Sequence, residues 1–357
     1  MDSQPKGGRA EGAGSRSGRI TRIRSGAGDH VPDPRATRVR DPDSGGAGRG
    51  APAGGITSVN SQFQGGVADL TGLVLSEGYQ VLRRLEVVSG EADLYICTNG
   101  SGEEYVLKVY RRRDAVKLSL LEELVKLRSP HVGRVYAFGR TDDGFPYVVL
   151  EYFGEGSLQG RRFSLEELKR LVIPPVLVGL STLHEAGIIH KDIKPSNLML
   201  TGGGTSVSII DFGISSLVED GQTMLVTRTG MSPVYSAPET FNGVYFCESD
   251  YYSLGITLYE LYTGHTPYED LSADDMAAYA SVQRIPFPDD FPGELRSLVL
   301  GLTYKDLSNR NDPANPNRRW TGAEVEKWLQ GKSLPVPGEQ TSRDLLGACN
   351  FMAFCPH

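Results

Sequence analysis

Asp192, Lys194 and Asn197 stand close together in the stretch Gly187-Ile188-Ile189-His190-Lys191-Asp192-Ile193-Lys194-Pro195-Ser196-Asn197-Leu198. A second acid follows at Asp211-Phe212-Gly213, after a gap short enough for one hairpin. A base, a cation that faces phosphate and two oxygen donors for a hard metal ion are what phosphoryl transfer requires. In an extended loop Asp192 opens to a cleft, where it can accept a hydroxyl proton and orient the attacking oxygen. Lys194, two residues on, points the same way and can neutralise a migrating phosphoryl group. Asn197 offers a neutral oxygen and Asp211 a charged one, and Mg2+ takes a few such oxygens together with phosphate and water. Ser206-Val207-Ser208-Ile209-Ile210 reads as a strand that delivers Asp211 beside the loop. The bland alternative is a tight turn held by hydrogen bonds of His190, Asp192 and Asn197, and the joint spacing argues against it.

The elements around these residues divide into two kinds. Tyr79–Leu82, Leu94–Cys97, Tyr105–Tyr110, Arg134–Phe138 and Pro146–Leu150 read as strands, with an Asn99-Gly100 hairpin signal before the third. Ala115–Leu127 carries helical periodicity. Long helical patterns then dominate at 165–185, 250–263, 273–280, 293–303 and 322–329. Leu171–Leu183 holds Pro174 and Pro175 and reads as a buried helix with an irregular turn. Asp250 reads as a helix N-cap at the start of 250–263. The class is α+β: a β-rich half followed by an α-rich half, joined near Glu151–Gly156.

Together these residues resemble the eukaryotic-type serine/threonine protein kinase family, including its bacterial members. The likeness covers about residues 79 to 331. His190-Lys191-Asp192 is similar to the catalytic-loop triplet, with Lys where Arg is commoner, and Asp211-Phe212-Gly213 matches the metal-binding motif unchanged. Ser232-Pro233-Val234-Tyr235-Ser236-Ala237-Pro238-Glu239 resembles the end of the activation segment. Lys108, in Val106-Leu107-Lys108-Val109, matches the strand lysine of that family, and Leu150-Glu151-Tyr152-Phe153 its gatekeeper and hinge. The resemblance implies a two-lobed kinase-like fold, with an N-lobe at 79–150 and a C-lobe at 155–331. It implies Asp192 as catalytic base, Lys194 as phosphate contact, and Asn197 and Asp211 as metal ligands. It also implies Lys108 on the α- and β-phosphates, adenine bound along the backbone from Glu151 to Phe153, and Arg319 paired with Glu239. Asp250, in Asp250-Tyr251-Tyr252-Ser253-Leu254-Gly255, then belongs to the buried helix whose Asp braces the catalytic loop. The implied activity transfers the γ-phosphate of ATP, with Mg2+, to Ser or Thr hydroxyls of proteins, and Ser232 sits where the family favours Ser/Thr over Tyr.

The pattern departs from the family in the first lobe. The three glycine positions fall on Val87, Ser89 and Ala92, with Gly90 out of register; Ser89 and Gly90 remain the expected phosphate-turn contacts. Glu91 and Asp93 add negative charge near the phosphates. The helix position that should supply the partner of Lys108 holds Leu120, and Glu123, one turn later, is the expected substitute. These departures leave open a pseudokinase or scaffold module with weak nucleotide binding, and a kinase-like enzyme for a small molecule is the third reading. Lysine cannot copy the bidentate pairing of arginine with a phosphorylated loop. Activation is therefore expected to depend little on phosphate at Thr223, Thr227 or Thr229, the candidate sites of self-phosphorylation.

Residues 1 to about 65 are rich in Gly, Arg, Ser, Pro and Asp and read as a disordered tail, locally basic through Arg9, Arg16, Arg19, Arg22 and Arg24. Residues 335–357 read as a loose tail; Cys349, Cys355 and His357 there are too few for a tetrahedral metal site. The net charge of −7 argues against nucleic acid as a partner. Four scattered cysteines suit a reducing, cytoplasmic setting rather than a disulfide framework. No apolar run approaches the roughly 18 residues of a membrane span, and the N-terminus lacks the apolar core of a secretory signal.

Overall fold

The computed structural model describes residues 69–86, 91–213, 215–217, 225–226, 232–269, 271–272, 275–276 and 285–338. The expectations for the N-terminal tail, for the C-terminal tail from 339 onward, for Ser89 and Gly90, for the three threonines and for most of 273–280 lie outside them. Five strands form one antiparallel sheet: β1 (Gln80–Arg84), β2 (Ala92–Thr98), β3 (Glu104–Tyr110), β4 (Val135–Arg140) and β5 (Pro146–Glu151), in the order β1-β2-β3-β5-β4. Alternation along β3 divides the core. Tyr105, Leu107 and Val109 join Leu75, Val81, Tyr95, Tyr147 and Val149 on one face. Lys108 belongs to the other face, in register with Leu94 on β2 and Val148 on β5. That face is covered by α1 (Leu118–Lys126), whose Leu120, Leu121 and Leu124 are buried.

The second half is helical. A Ser164–Glu167 capping box starts α2 (Leu165–Glu167), a π-helical turn follows at Leu168–Val172, and α3 runs over Ile173–Glu185. Pro174 and Pro175 have no N–H to return to the preceding turn, which accounts for the local widening there. Two hairpin strands, β7 (Leu198–Thr201) and β8 (Ser206–Ile209), pair Leu198 with Ile209. α4 (Cys247–Thr263) is buried on most faces, from Ser249 through Leu258, and packs against α5 (Gly293–Leu302). α6 (Gly322–Leu329) opens with a Thr321–Glu324 capping box. Because α4 begins at Cys247, Asp250 lies inside its first turn. The N-cap reading is therefore corrected: Ser249 Oγ, not Asp250, accepts the Phe246 N–H.

One ion pair joins the last part of this half to the segment ending at Glu239. Arg319, 1% exposed, donates from Nη1 to Glu239 Oε1 at 2.6 Å and from Nη2 to Oε2 at 3.1 Å. Its Nε donates to the Tyr304 carbonyl at 2.6 Å. Burial works to raise the Glu239 pKa, but the Arg319 charge and hydrogen bonds overcome it and hold the carboxyl below the ordinary glutamate range. Arg319→Leu strands a buried carboxylate, and chemical denaturation at pH 7 should register a loss of about 3–5 kcal/mol. A group with a lowered folded-state pKa stabilises fully above its unfolded value and loses that effect as pH falls through the folded value. The difference between variant and wild type should therefore be complete above the ordinary glutamate range and shrink below it.

Candidate active site

The loop that carries Asp192 is fixed from beneath by Asp250, which is fully buried. Asp250 Oδ2 accepts the His190 N–H at 2.9 Å and the His184 Nε2–H at 2.8 Å, and Oδ1 accepts the Lys191 N–H at 2.8 Å. Burial works to raise its pKa, but the hydrogen bonds it accepts, that from His184 foremost, leave it below the ordinary aspartate range. His190 is buried too: Nε2–H donates to the Ile210 carbonyl at 2.9 Å, and Nδ1 accepts the Asp192 N–H at 3.2 Å. A carbonyl on one nitrogen and an N–H on the other fix a neutral ring protonated at Nε2. Lys191 (φ 70°) and Asp211 (φ 65°) are the two non-glycine residues with left-handed backbone among the described residues. Such conformations cost energy and persist where surrounding contacts over-determine them.

Beyond this brace the predicted loop residues converge. Lys194 Nζ lies 2.7 Å from Asp192 Oδ2, and Asn197 Nδ2 donates to the same oxygen at 2.9 Å and to the Asp192 carbonyl at 2.8 Å. Asp192 Oδ1 is buried and has no hydrogen-bond partner. Lys194 Nζ also donates to Ser232 Oγ at 2.7 Å, which brings the Ser232–Glu239 segment to the loop. Both partners of the Asn197 amide nitrogen are acceptors, so its oxygen must be the other end.

Asp211 arrives from β8. The Ile210 N–H donates to the Asn197 carbonyl at 2.9 Å, so the hairpin ladder carries Asn197 and Asp211 onto neighbouring chains. Asp211 Oδ1 lies 2.5 Å from Lys108 Nζ, an ion pair between the two halves of the molecule. Burial is the largest single influence on Lys108 and works to lower its pKa, but the charge and hydrogen bond of Asp211, with Tyr110 and Glu91, together raise it. The Asp211 carboxyl is held below the ordinary range, Lys108 overcoming the effect of burial. Among the described residues no cluster of three or more His, Cys, Asp or Glu side chains is arranged to hold a metal. One amide oxygen and one carboxylate fit Mg2+, which keeps waters and takes phosphate oxygens, and do not fit a fully caged ion. At the hinge, β5 ends at Glu151, and the backbone of Tyr152 and Phe153 runs beyond the sheet ladder.

Two expectations are corrected by the geometry. Glu123 does not meet Lys108: its Oε1 lies 2.6 Å from Lys126 Nζ, and the side chain is 37% exposed. At about 100° per residue the buried face of α1 is centred between Leu120, Leu121 and Leu124, and Glu123 projects roughly a quarter turn or more from that centre. Asp93 does not load the phosphate region with charge. It is buried on the opposite face of β2, where Arg111 Nη2 donates to it at 2.9 Å and Arg84 also donates. The Arg111 hydrogen bond leads in lowering its pKa. Sequence reasoning also missed the surroundings of Lys191, whose ammonium donates to Ser216 Oγ and lies 4.7 Å from the Tyr245 ring centroid. Burial pushes that group down to about 8. A basic residue flanked by His190 and Asp192 carried no signal for such depth.

Residues 89–319 match the family model described as the protein kinase domain. The chain is 30% identical over 254 residues to CBL-interacting serine/threonine-protein kinase 8 of Arabidopsis thaliana, covering 66% of this chain and 54% of that protein. It is 34% identical over 281 residues to sucrose non-fermenting protein kinase 1 of Fusarium virguliforme, covering 72% and 38%. A probable serine/threonine-protein kinase of Streptomyces coelicolor is 32% identical over 229 residues, covering 60% and 33%. The chain thus spans about half, or less, of the length of these relatives. With the matched region, the five-stranded sheet and the helical half taken together, the chain belongs to the protein kinase domain family.

Proposed function

We propose that this chain is a serine/threonine protein kinase that transfers the γ-phosphoryl group of ATP to Ser or Thr hydroxyls of a protein substrate. The observation that carries this reading is Asp192: one carboxylate oxygen is committed to Lys194 and Asn197, and the other is buried without a partner. An acceptor held in one orientation, with its second oxygen unused, suits a hydroxyl that must lose a proton as it attacks. The substrate oxygen forms a bond to the γ-phosphorus while the bond to the bridging oxygen of ADP breaks, and the hydroxyl proton passes to Asp192. Lys194 spreads positive charge over the transferring group. Lys108 holds the α- and β-phosphates, and the backbone from Glu151 to Phe153 holds adenine. Ser89 and Gly90, outside the described residues, belong to the phosphate turn in this reading. Asn197 and Asp211 hold Mg2+, which when bound neutralises phosphate charge. Lys194 donates to Ser232, the residue at the position where the resemblance favours Ser or Thr as acceptor. None of the helices in the described residues is long and apolar enough to cross a membrane; we assign the chain to a reducing, cytoplasmic setting on its few scattered cysteines.

The test is transfer of label from γ-labelled ATP to Ser- and Tyr-containing peptides. Wild type should label the Ser peptide. Asp192→Asn should lower kcat by about 10²–10⁴-fold while the affinity for ATP stays within about threefold. An Asp192→Asn enzyme as fast as wild type, or a wild type that labels nothing, contradicts the reading.

The start of the activation segment is held without phosphate. β6 (Ile188–Ile189) pairs with β9 (Ser216–Leu217), and the buried Lys191 is occupied by Ser216 and Tyr245. Simultaneous replacement of Thr223, Thr227 and Thr229 by Ala should leave kcat within about threefold of wild type. A fall of orders of magnitude in the same peptide assay would show that loop phosphate is required.

A further inference from the structure

Lys108 needs counter-charge that α1 does not supply. Its side chain is 6% exposed, and a buried ammonium is costly without compensating acids. The inward positions of α1 are leucines, Glu122 is exposed, and Glu123 is bonded to Lys126. Asp211 is the nearest acid, but in the proposed reaction it also serves the metal ion, which draws on the same negative charge.

A second carboxylate reaches this spot from the turn before β2. At Gly213 a side-chain Cβ would stand 3.2 Å from Asp211 Oδ1, 3.3 Å from Glu91 Oε2 and 3.4 Å from Lys108 Nζ. The two acids and the lysine therefore converge on one glycine, where any side chain would crowd them. Glu91 is tied to the strand that carries Lys108: its carbonyl accepts the Arg111 N–H at 2.9 Å, just past the end of β3. Strand alternation would send Glu91 to the side of Asp93. Glu91 instead lies in a bend outside β2, which lets its carboxylate come round to the cleft face.

We propose that Glu91 is a positioning residue for Lys108, a carboxylate just before β2 that does the work expected of a glutamate on α1. The role rests on the phosphotransfer reading, and the geometry behind it does not. Glu91 holds the ammonium toward the cleft when Asp211 is shared with a cation, and couples the start of β2 to the lysine.

The experiment has an arm that needs no catalysis. In the nucleotide-free protein at one fixed pH, the rate of Lys108 acylation by an amine-reactive ester is followed by peptide mass spectrometry. Losing the carboxylate that holds the ammonium in place frees the side chain to meet the reagent. Glu91→Gln should speed labelling by about two- to fivefold, and Glu91→Asp by less. Glu123→Gln should leave the rate where it was. In the peptide assay Glu91→Gln should raise KM for ATP by about threefold to tenfold, with a smaller change in kcat. Unchanged labelling in Glu91→Gln, or acceleration in Glu123→Gln, overturns the proposal. A lower KM for ATP in Glu91→Gln also overturns it, because Glu91 would then compete with phosphate. An enzyme that transfers no label but shows the acylation pattern rejects the activity and keeps the pairing.

Discussion

The carboxylate of Asp250 is the contact on which the proposed reaction centre depends. A fully buried acid is unfavourable unless its lone pairs are used, and here a histidine and two successive backbone N–H groups use them. Those backbone groups belong to His190 and Lys191, so satisfying the acid sets the chain direction immediately before Asp192. The left-handed Lys191 backbone is the strain this demands. His190 extends the brace in both directions, reaching the Asp192 N–H with one nitrogen and the carbonyl before Asp211 with the other. One buried charge thus fixes both acids of the proposed chemistry in a single frame.

Similar logic recurs at the edges of the site. Arg319 and Glu239 fasten the end of the activation segment through a buried bidentate pair. Lys108, buried, and Asp211, partly open to the cleft, join the sheet to the helical half through a single Nζ–Oδ1 contact. Asp93, with Arg84 and Arg111, ties β1 and the end of β3 to β2 beside the nucleotide turn. Each acid is placed where leaving it unpaired would be costly, so each specifies one arrangement more strongly than apolar packing alone would.

The reaction centre was legible because Asp192, Lys194, Asn197 and Asp211 are adjacent in sequence or joined by one hairpin, so that spacing nearly determines geometry. The sheet and the long helices were legible from alternation and from runs of buried residues, although α4 begins three residues before the expected start, which turns Asp250 from a cap into a brace. What failed were decisions between neighbouring faces. Glu123 shares a side with Leu120 in a simple periodic reading, yet the centre of the buried stripe is displaced toward Leu121 and Leu124. Asp93 and Glu91 were read alike as acids near phosphate, but one is on the far face with two arginines and the other leaves the strand in a bend. Such distinctions depend on where a strand ends, which composition does not encode.

The central claim is that Asp250 sets the loop geometry required for transfer. Asp250→Asn keeps size and replaces one acceptor by a donor facing backbone N–H groups, so the loop must shift without gross loss of the core. The decisive measurement follows hydrogen exchange at the His190 and Lys191 amides together with kcat on the same folded protein. The account predicts faster exchange at both amides and a fall in kcat of about 10- to 100-fold, since a displacement of the reacting groups by about 1 Å can cost 10²-fold. Wild-type protection together with a wild-type rate would contradict it.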